Sequence, residues 1–166
     1  MLASKSLQSV LLSGLVASLG SSCAHVTPVS GVAPTRSAEG VEVTVAADAC
    51  DEAQEPDGYG WSLTELMLEV RVTNPTGTPI LVRPGDIRLR TSDGASLGTL
   101  TWGAAIPMNV AAGATKSFDL RFMDRGSLHC GTHVELDTSG SVTAGGHALT
   151  TDGVAFTASG APPIRL

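Results

Sequence analysis

Residues 66 to 73 alternate without a break. Leu66, Leu68, Val70 and Val72 fall on one side, and Met67, Glu69, Arg71 and Thr73 on the other. Successive side chains of a strand point to opposite faces, so this run makes a half-buried strand with one apolar and one wet face. The same period recurs at Val41, Val43 and Val45, at Ile87 and Leu89, at Phe118, Leu120 and Phe122, and at Val134 and Leu136. Turn signals separate the runs: Asn74-Pro75-Thr76-Gly77, Ser92-Asp93-Gly94, Ala111-Ala112-Gly113-Ala114, Gly145-Gly146 and Asp152-Gly153. Shorter strands are expected at Ile80 to Val82, Leu97 to Trp102, Ser141 to Ala144, His147 to Thr150 and Val154 to Ala158. Helical periodicity is almost absent. About seven to nine short strands in close succession predict an all-β, antiparallel β-sandwich.

Composition agrees. Aromatics are 4% and charged residues 16%, with 19 Gly, so the core must be built from Val, Leu and Ala. The 166 residues suit one domain after a leader. Net charge is −6, from 10 Lys+Arg against 16 Asp+Glu, and becomes −7 if Lys5 leaves with a leader. A surface with that balance cannot neutralise phosphates, which argues against nucleic acid and against charge-driven binding to acidic lipid. Arg83, Arg88 and Arg90 lie close together but read as the solvated face of a strand.

The N-terminus reads as an address. A polar start with Lys5 leads into an apolar run, Val10 to Leu19, and then Gly20-Ser21-Ser22-Cys23. The run is shorter than the ~20 apolar residues that span a bilayer. Small residues ending in Cys resemble the lipobox of bacterial lipoproteins, although Gly20 stands where Leu is expected and Leu19 lies one position early. The resemblance implies cleavage before Cys23, acylation of Cys23 and membrane anchorage. The residue after the Cys is Ala24, which in lipoproteins of enteric type implies the outer membrane. The rival is ordinary cleavage after Gly20 or Ala24. Three Cys is an odd number, and lipidating Cys23 leaves Cys50 and Cys130 to pair in an oxidising compartment. Closing a loop of that length contributes roughly 4–5 kcal/mol in the chain-entropy model. The organisation expected is therefore a signal peptide at 1–22, lipidated Cys and flexible tether at 23–39, the sandwich at 40–160 and a tail at 161–166.

Two segments carry a second resemblance. Leu68-Glu69-Val70-Arg71-Val72-Thr73-Asn74-Pro75-Thr76-Gly77-Thr78-Pro79-Ile80 and Ala112-Gly113-Ala114-Thr115-Lys116-Ser117-Phe118-Asp119-Leu120-Arg121-Phe122 resemble the immunoglobulin-like domains of many uncharacterised bacterial lipoproteins. That implies an immunoglobulin-like sandwich over about Val41 to Ala158 and says nothing of activity.

Candidate sites are few. His129-Cys130-Gly131-Thr132-His133 could offer copper or zinc two imidazoles and a thiolate. No Met follows His133, and a bridged Cys130 would not ligate. Asp137-Thr138-Ser139-Gly140 echoes an aspartic-protease loop, but Ser139 interrupts it and a β-turn explains it. Asp48 to Gly60 reads as a solvated acidic loop; Asp48, Asp51, Glu52, Glu55 and Asp57 could hold calcium but lack EF-hand spacing. Tyr59, Trp61 and Trp102 could contact a partner or stack on sugars, with burial of at least one Trp expected. No phosphate loop, nucleophile elbow or catalytic triad context is present, and no cofactor is implied. The expectation is a non-enzymatic cell-envelope lipoprotein whose domain binds or scaffolds an envelope protein near the membrane. A metal-handling lipoprotein and a glycan-binding module are the alternatives.

Overall fold

The structure is a computed structural model that describes residues 34–54 and 62–159, the side chains of Gln54 and Ser62 excepted. Cys23, Tyr59 and Trp61 lie outside the described residues, as do the predicted leader, most of the tether and the tail. The described chain is all-β, with no α-helix. Its strands are β1 (Thr35–Arg36), β2 (Glu42–Gln54), β3 (Ser62–Thr73), β4 (Ile80–Val82), β5 (Arg88–Thr91), β6 (Ser96–Gly98), β7 (Met108–Val110), β8 (Thr115–Asp124), β9 (His133–Asp137), β10 (Val142–Ala144), β11 (His147–Ala148) and β12 (Val154–Thr157).

One layer is the sheet β1-β2-β3-β8. The others are β11-β10-β4-β7 and β12-β9-β5-β6, all antiparallel. These two are halves of one opposing layer. β4 passes into β5 through a single 3-10 turn, Pro84–Asp86, and β9 passes into β10 through the turn at Thr138 to Ser141. The partners continue across the junction with a shift of one residue: Ile80↔Ala144, Val82↔Val142, then Arg88↔Asp137, Thr91↔Val134. Arg83 N donates to Ser141 O (2.7 Å) at the break itself. Many short strands therefore fill few positions, and the architecture is the predicted antiparallel β-sandwich.

The alternating residues meet between the layers. Leu66, Leu68, Val70 and Val72 are at most 1% exposed, as are Leu120 and Phe122 beside them and Ile87, Leu89 and Leu136 opposite. Burying such side chains contributes about 1.5–3 kcal/mol each and supplies the main drive to fold. Asn74, at the end of β3, is fully buried and fully bonded. Its Nδ2 donates to Thr78 O (2.8 Å), Val110 O (3.1 Å) and Ala111 O (3.1 Å), and its Oδ1 accepts from Thr76 N (3.1 Å). One side chain thus ties the ends of β3 and β7 to the start of β4, which is why the turn carries Asn.

Three expectations are corrected. The run from Asp48 is not a loop, because β2 continues through Gln54. A bulge between Val45 and Ala47 shifts its parity, so the core positions pass from Val43 and Val45 to Asp48 and Cys50. The shift breaks the alternation that marks the first half of the strand. The folded part also begins before residue 40: Thr35 and Arg36 pair with Val43 and Glu42, and Thr35 and Ser37 are buried. Finally, the strand expected from Leu97 to Trp102 stops at Gly98.

Candidate interaction surface

Where β6 stops, the chain leaves the edge of one layer and crosses to the edge of the other. Leu100 N donates to Arg121 O (2.7 Å), Thr99 Oγ1 donates to the same oxygen (3.1 Å), and Arg121 N donates to Thr101 Oγ1 (2.7 Å). Arg121 lies on β8, so residues 99 to 101 dock on the outer edge of the first layer. The loop then turns back. Ala104 N donates to Thr101 O (3.1 Å), Ile106 N to Gly103 O (2.8 Å), and Gly85 N of the 3-10 turn to Ala104 O (2.7 Å). That last approach favours a glycine, since a Cβ at residue 85 would sit a tight 3.0 Å from the Ala104 carbonyl oxygen. Gly103, at φ 82°, makes the reversal.

The pinned loop turns large apolar side chains outward. Trp102 is 100% exposed, Ile106 70% and Leu100 60%, and no residue from Thr99 to Pro107 is charged. Of the described large hydrophobic residues that stand exposed, only Met67 lies elsewhere. Isolated exposed apolar residues are ordinary, whereas several on one loop make it a candidate interaction surface. A cleft of about 230 Å³ beside it is lined by Pro84, Thr101, Trp102, Ala104, Phe118 and Asp119. Trp102, one of the residues expected as a possible partner contact, stands fully in solvent, so the burial expected of at least one Trp is not met by this one. Leu100 and Ile106 were missed. Their signal was the uncharged run itself, which breaks the period of two.

The opposite flank is closed. Cys50 and Cys130 form a disulfide with a Cα–Cα distance of 5.7 Å, the pairing expected from the cysteine count. Around it, Cys50 N donates to Ser159 O (2.9 Å), Gly131 N to Ala158 O (2.7 Å) and Ala158 N to Thr132 O (3.0 Å). Ser159 N also donates to Asp48 Oδ2 (2.6 Å). Asp48 is fully buried, its Oδ1 has no partner among the described residues, and desolvation raises its pKa above 3.8. The acidic set expected around it is dispersed. Asp51 points away on the outer face, Glu52 pairs with His129, and Glu55 and Asp57 lie outside the described residues.

The bridge also consumes the Cys130 sulfur, so the proposed set of His129, Cys130 and His133 has no thiolate. His129 Nδ1 faces Glu52 Oε1 at 3.2 Å and its Nε2 faces Gly126 O at 2.9 Å. The Glu52 contact raises the His129 pKa. His133 Nδ1 lies 3.4 Å from Thr157 Oγ1. Asp137 closes its turn by accepting from Ser139 N (2.9 Å), and it pairs with Arg90 (2.5 Å). Those contacts, that of Ser139 foremost, lower its pKa. Arg90 lines an open depression of about 500 Å³ with His133 and Glu135, but its guanidinium is engaged by Asp137.

No protein-family model matches the chain, and no curated protein matches it. Solved structures do. The ycdA protein of Bacillus subtilis, a candidate lipoprotein, superposes with a TM-score of 0.53 at 14% identity over 75% of this chain, which spans 38% of the length of that protein. A functionally unknown protein from Listeria monocytogenes gives 0.53 at 12% identity, covering 81% of this chain and 85% of its own. The likeness is one of fold. A secreted protein of Mycobacterium tuberculosis, MPT63, matches at a TM-score of 0.38 and 17% identity, over 67% of this chain and 80% of its own.

Proposed function

We propose that this chain is a non-enzymatic module of the bacterial cell envelope that binds a protein partner through the loop from Thr99 to Pro107. In this reading it is exported, anchored through lipidated Cys23 with the outer membrane favoured, and of the immunoglobulin-like type. The observation that carries the binding is the fully exposed Trp102 on a loop held at both ends, flanked by Leu100 and Ile106. A loop whose backbone is already held loses little freedom on binding, and Trp residues are enriched among those that dominate interface energetics. Export is supported by the leader-like N-terminus, by the disulfide, which belongs to an oxidising compartment, and by the candidate-lipoprotein character of the ycdA protein that shares the fold.

The test places a photo-crosslinking amino acid at residue 102 in the full chain, in cells, with Ser139 as the control position. One dominant adduct at 102 and none at 139 is expected. Equal, diffuse labelling at both positions would remove this loop as a binding surface.

A further inference from the structure

Resting on that reading, we infer that the partner binds as an extended segment that adds a strand to the edge of β8 at Ser117 and Asp119. Three observations converge there. β8 is the last strand of its sheet, and its outward backbone groups belong to alternate residues. Arg121 is one of them, and both its N–H and its C=O are taken by residues 99 to 101. Asp119 and Ser117 are the next two outward positions, and among the described residues their backbone groups bond to nothing. A backbone segment thus already occupies one position of this edge, and the two beside it stand open.

The second observation is the cleft between the loop and β8. It lies at Phe118 and Asp119, and its remaining wall is Pro84, Thr101, Trp102, Gly103 and Ala104. An added strand would run past this cleft and could place one apolar side chain in it, against the exposed Trp102.

The third is charge. Asp119 sits directly across from Glu69 on the outer face, a like-charge pair that is unfavourable as it stands. Arg71 reaches Glu69 at 3.7 Å. A Lys or Arg on the added strand, opposite Asp119, would relieve the pair. One position further along, Ser117 lies across from Arg71, so a second cation is disfavoured there. The segment that fits is extended and carries one apolar anchor and one cationic residue. Backbone pairing would supply affinity, and the cleft and Asp119 would supply selectivity.

The experiment selects ligands for the full chain from a random dodecapeptide library. Peptides combining an apolar residue with a Lys or Arg should bind, and binding should weaken at least tenfold with Trp102→Ala and with Ser117→Pro. The proline removes an outward N–H that no strand uses, so the fold is expected to tolerate it. N-methylation scanned along the best peptide should abolish binding at alternate amides and spare those between. Loss of binding in Trp102→Ala with indifference to N-methylation would overturn strand addition while leaving the loop as a binding surface. Peptides that bind Trp102→Ala unchanged would overturn both. Self-association lost in Ser117→Pro, with no peptide selected, would replace the partner segment by a second copy of this chain and so overturn the proposal.

Discussion

The two flanks of the sandwich are closed by different means. On one, the Cys50–Cys130 bridge and the backbone bonds of Ala158 and Ser159 join β2 to the last strand and the loop before β9. On the other, the loop from Thr99 to Pro107 spans the gap with hydrogen bonds to Arg121 and Gly85. The covalent flank buries what it uses, Asp48 and Cys50 included, whereas the looped flank leaves Leu100, Trp102 and Ile106 in water. A closure made only for stability would not present its largest apolar side chains to solvent. The contrast separates a flank that holds the fold from one that displays a surface.

The largest test of that division is removal of the bridge. Cys50→Ser with Cys130→Ser should lower the free energy of unfolding by about 2–5 kcal/mol, since an 80-residue separation is released in the unfolded chain. Urea melts with and without reductant measure it. Melts that coincide would mean that the bridge is dispensable and that the flanks do not differ as argued.

On the looped flank the effect should be smaller and local. Thr99→Val with Thr101→Val keeps the branched shape and removes the hydroxyls that serve Arg121, at about 1 kcal/mol per bond. Hydrogen exchange should speed up at Leu100 and Arg121 while β3 keeps its protection. A uniform rise across the core would mean that the loop is part of the global fold.

Much of the fold was legible because period two is local. Leu66 to Val72 and Phe118 to Phe122 each announce both the strand and its buried face. The disulfide was legible as arithmetic on three cysteines. What escaped depended on events that leave no period. The bulge at Val45/Ala47 turned a strand into an apparent acidic loop and hid that Asp48 faces the core. The loop at Thr99 to Pro107 is defined by what it docks on, Arg121 and Gly85, which are distant or out of phase in sequence. Trp102 could be singled out as one of few aromatics, but only the folded loop shows that its ring stays outside.

Asp48 gives the covalent flank a signature in pH. Burial raises its pKa above the ordinary 3.8, so the folded chain holds the proton more tightly than the unfolded chain. Its contribution is full below pH 3.8 and is lost as pH rises through the raised folded-state value. Asp48→Asn keeps an oxygen for Ser159 N and cannot ionise. The stability of the native protein relative to this variant should fall across that window and level off above it. Asp137 runs the other way. Its lowered pKa gives stability above 3.8 that is lost on acidification, and it is common to both proteins, so it cancels in the difference. A flat difference would mean that Asp48 is solvated in solution.

The smallest effect on stability should come from the residue to which the proposal gives the largest part in binding. Trp102 is wholly exposed, so Trp102→Ala removes no buried area, and the unfolding free energy should change by less than about 0.5 kcal/mol, the range of ordinary surface substitutions. Crosslinking to a partner from a neighbouring loop position, Ala105, should nevertheless vanish. That pairing of an intact fold with lost binding is what the contrast between the flanks requires. A clear drop in stability would place the ring against the protein in solution and make this loop a second structural clamp, with Leu100 and Ile106 its frayed margin. An intact fold with undiminished crosslinking would instead shift the binding surface along the loop, away from the ring.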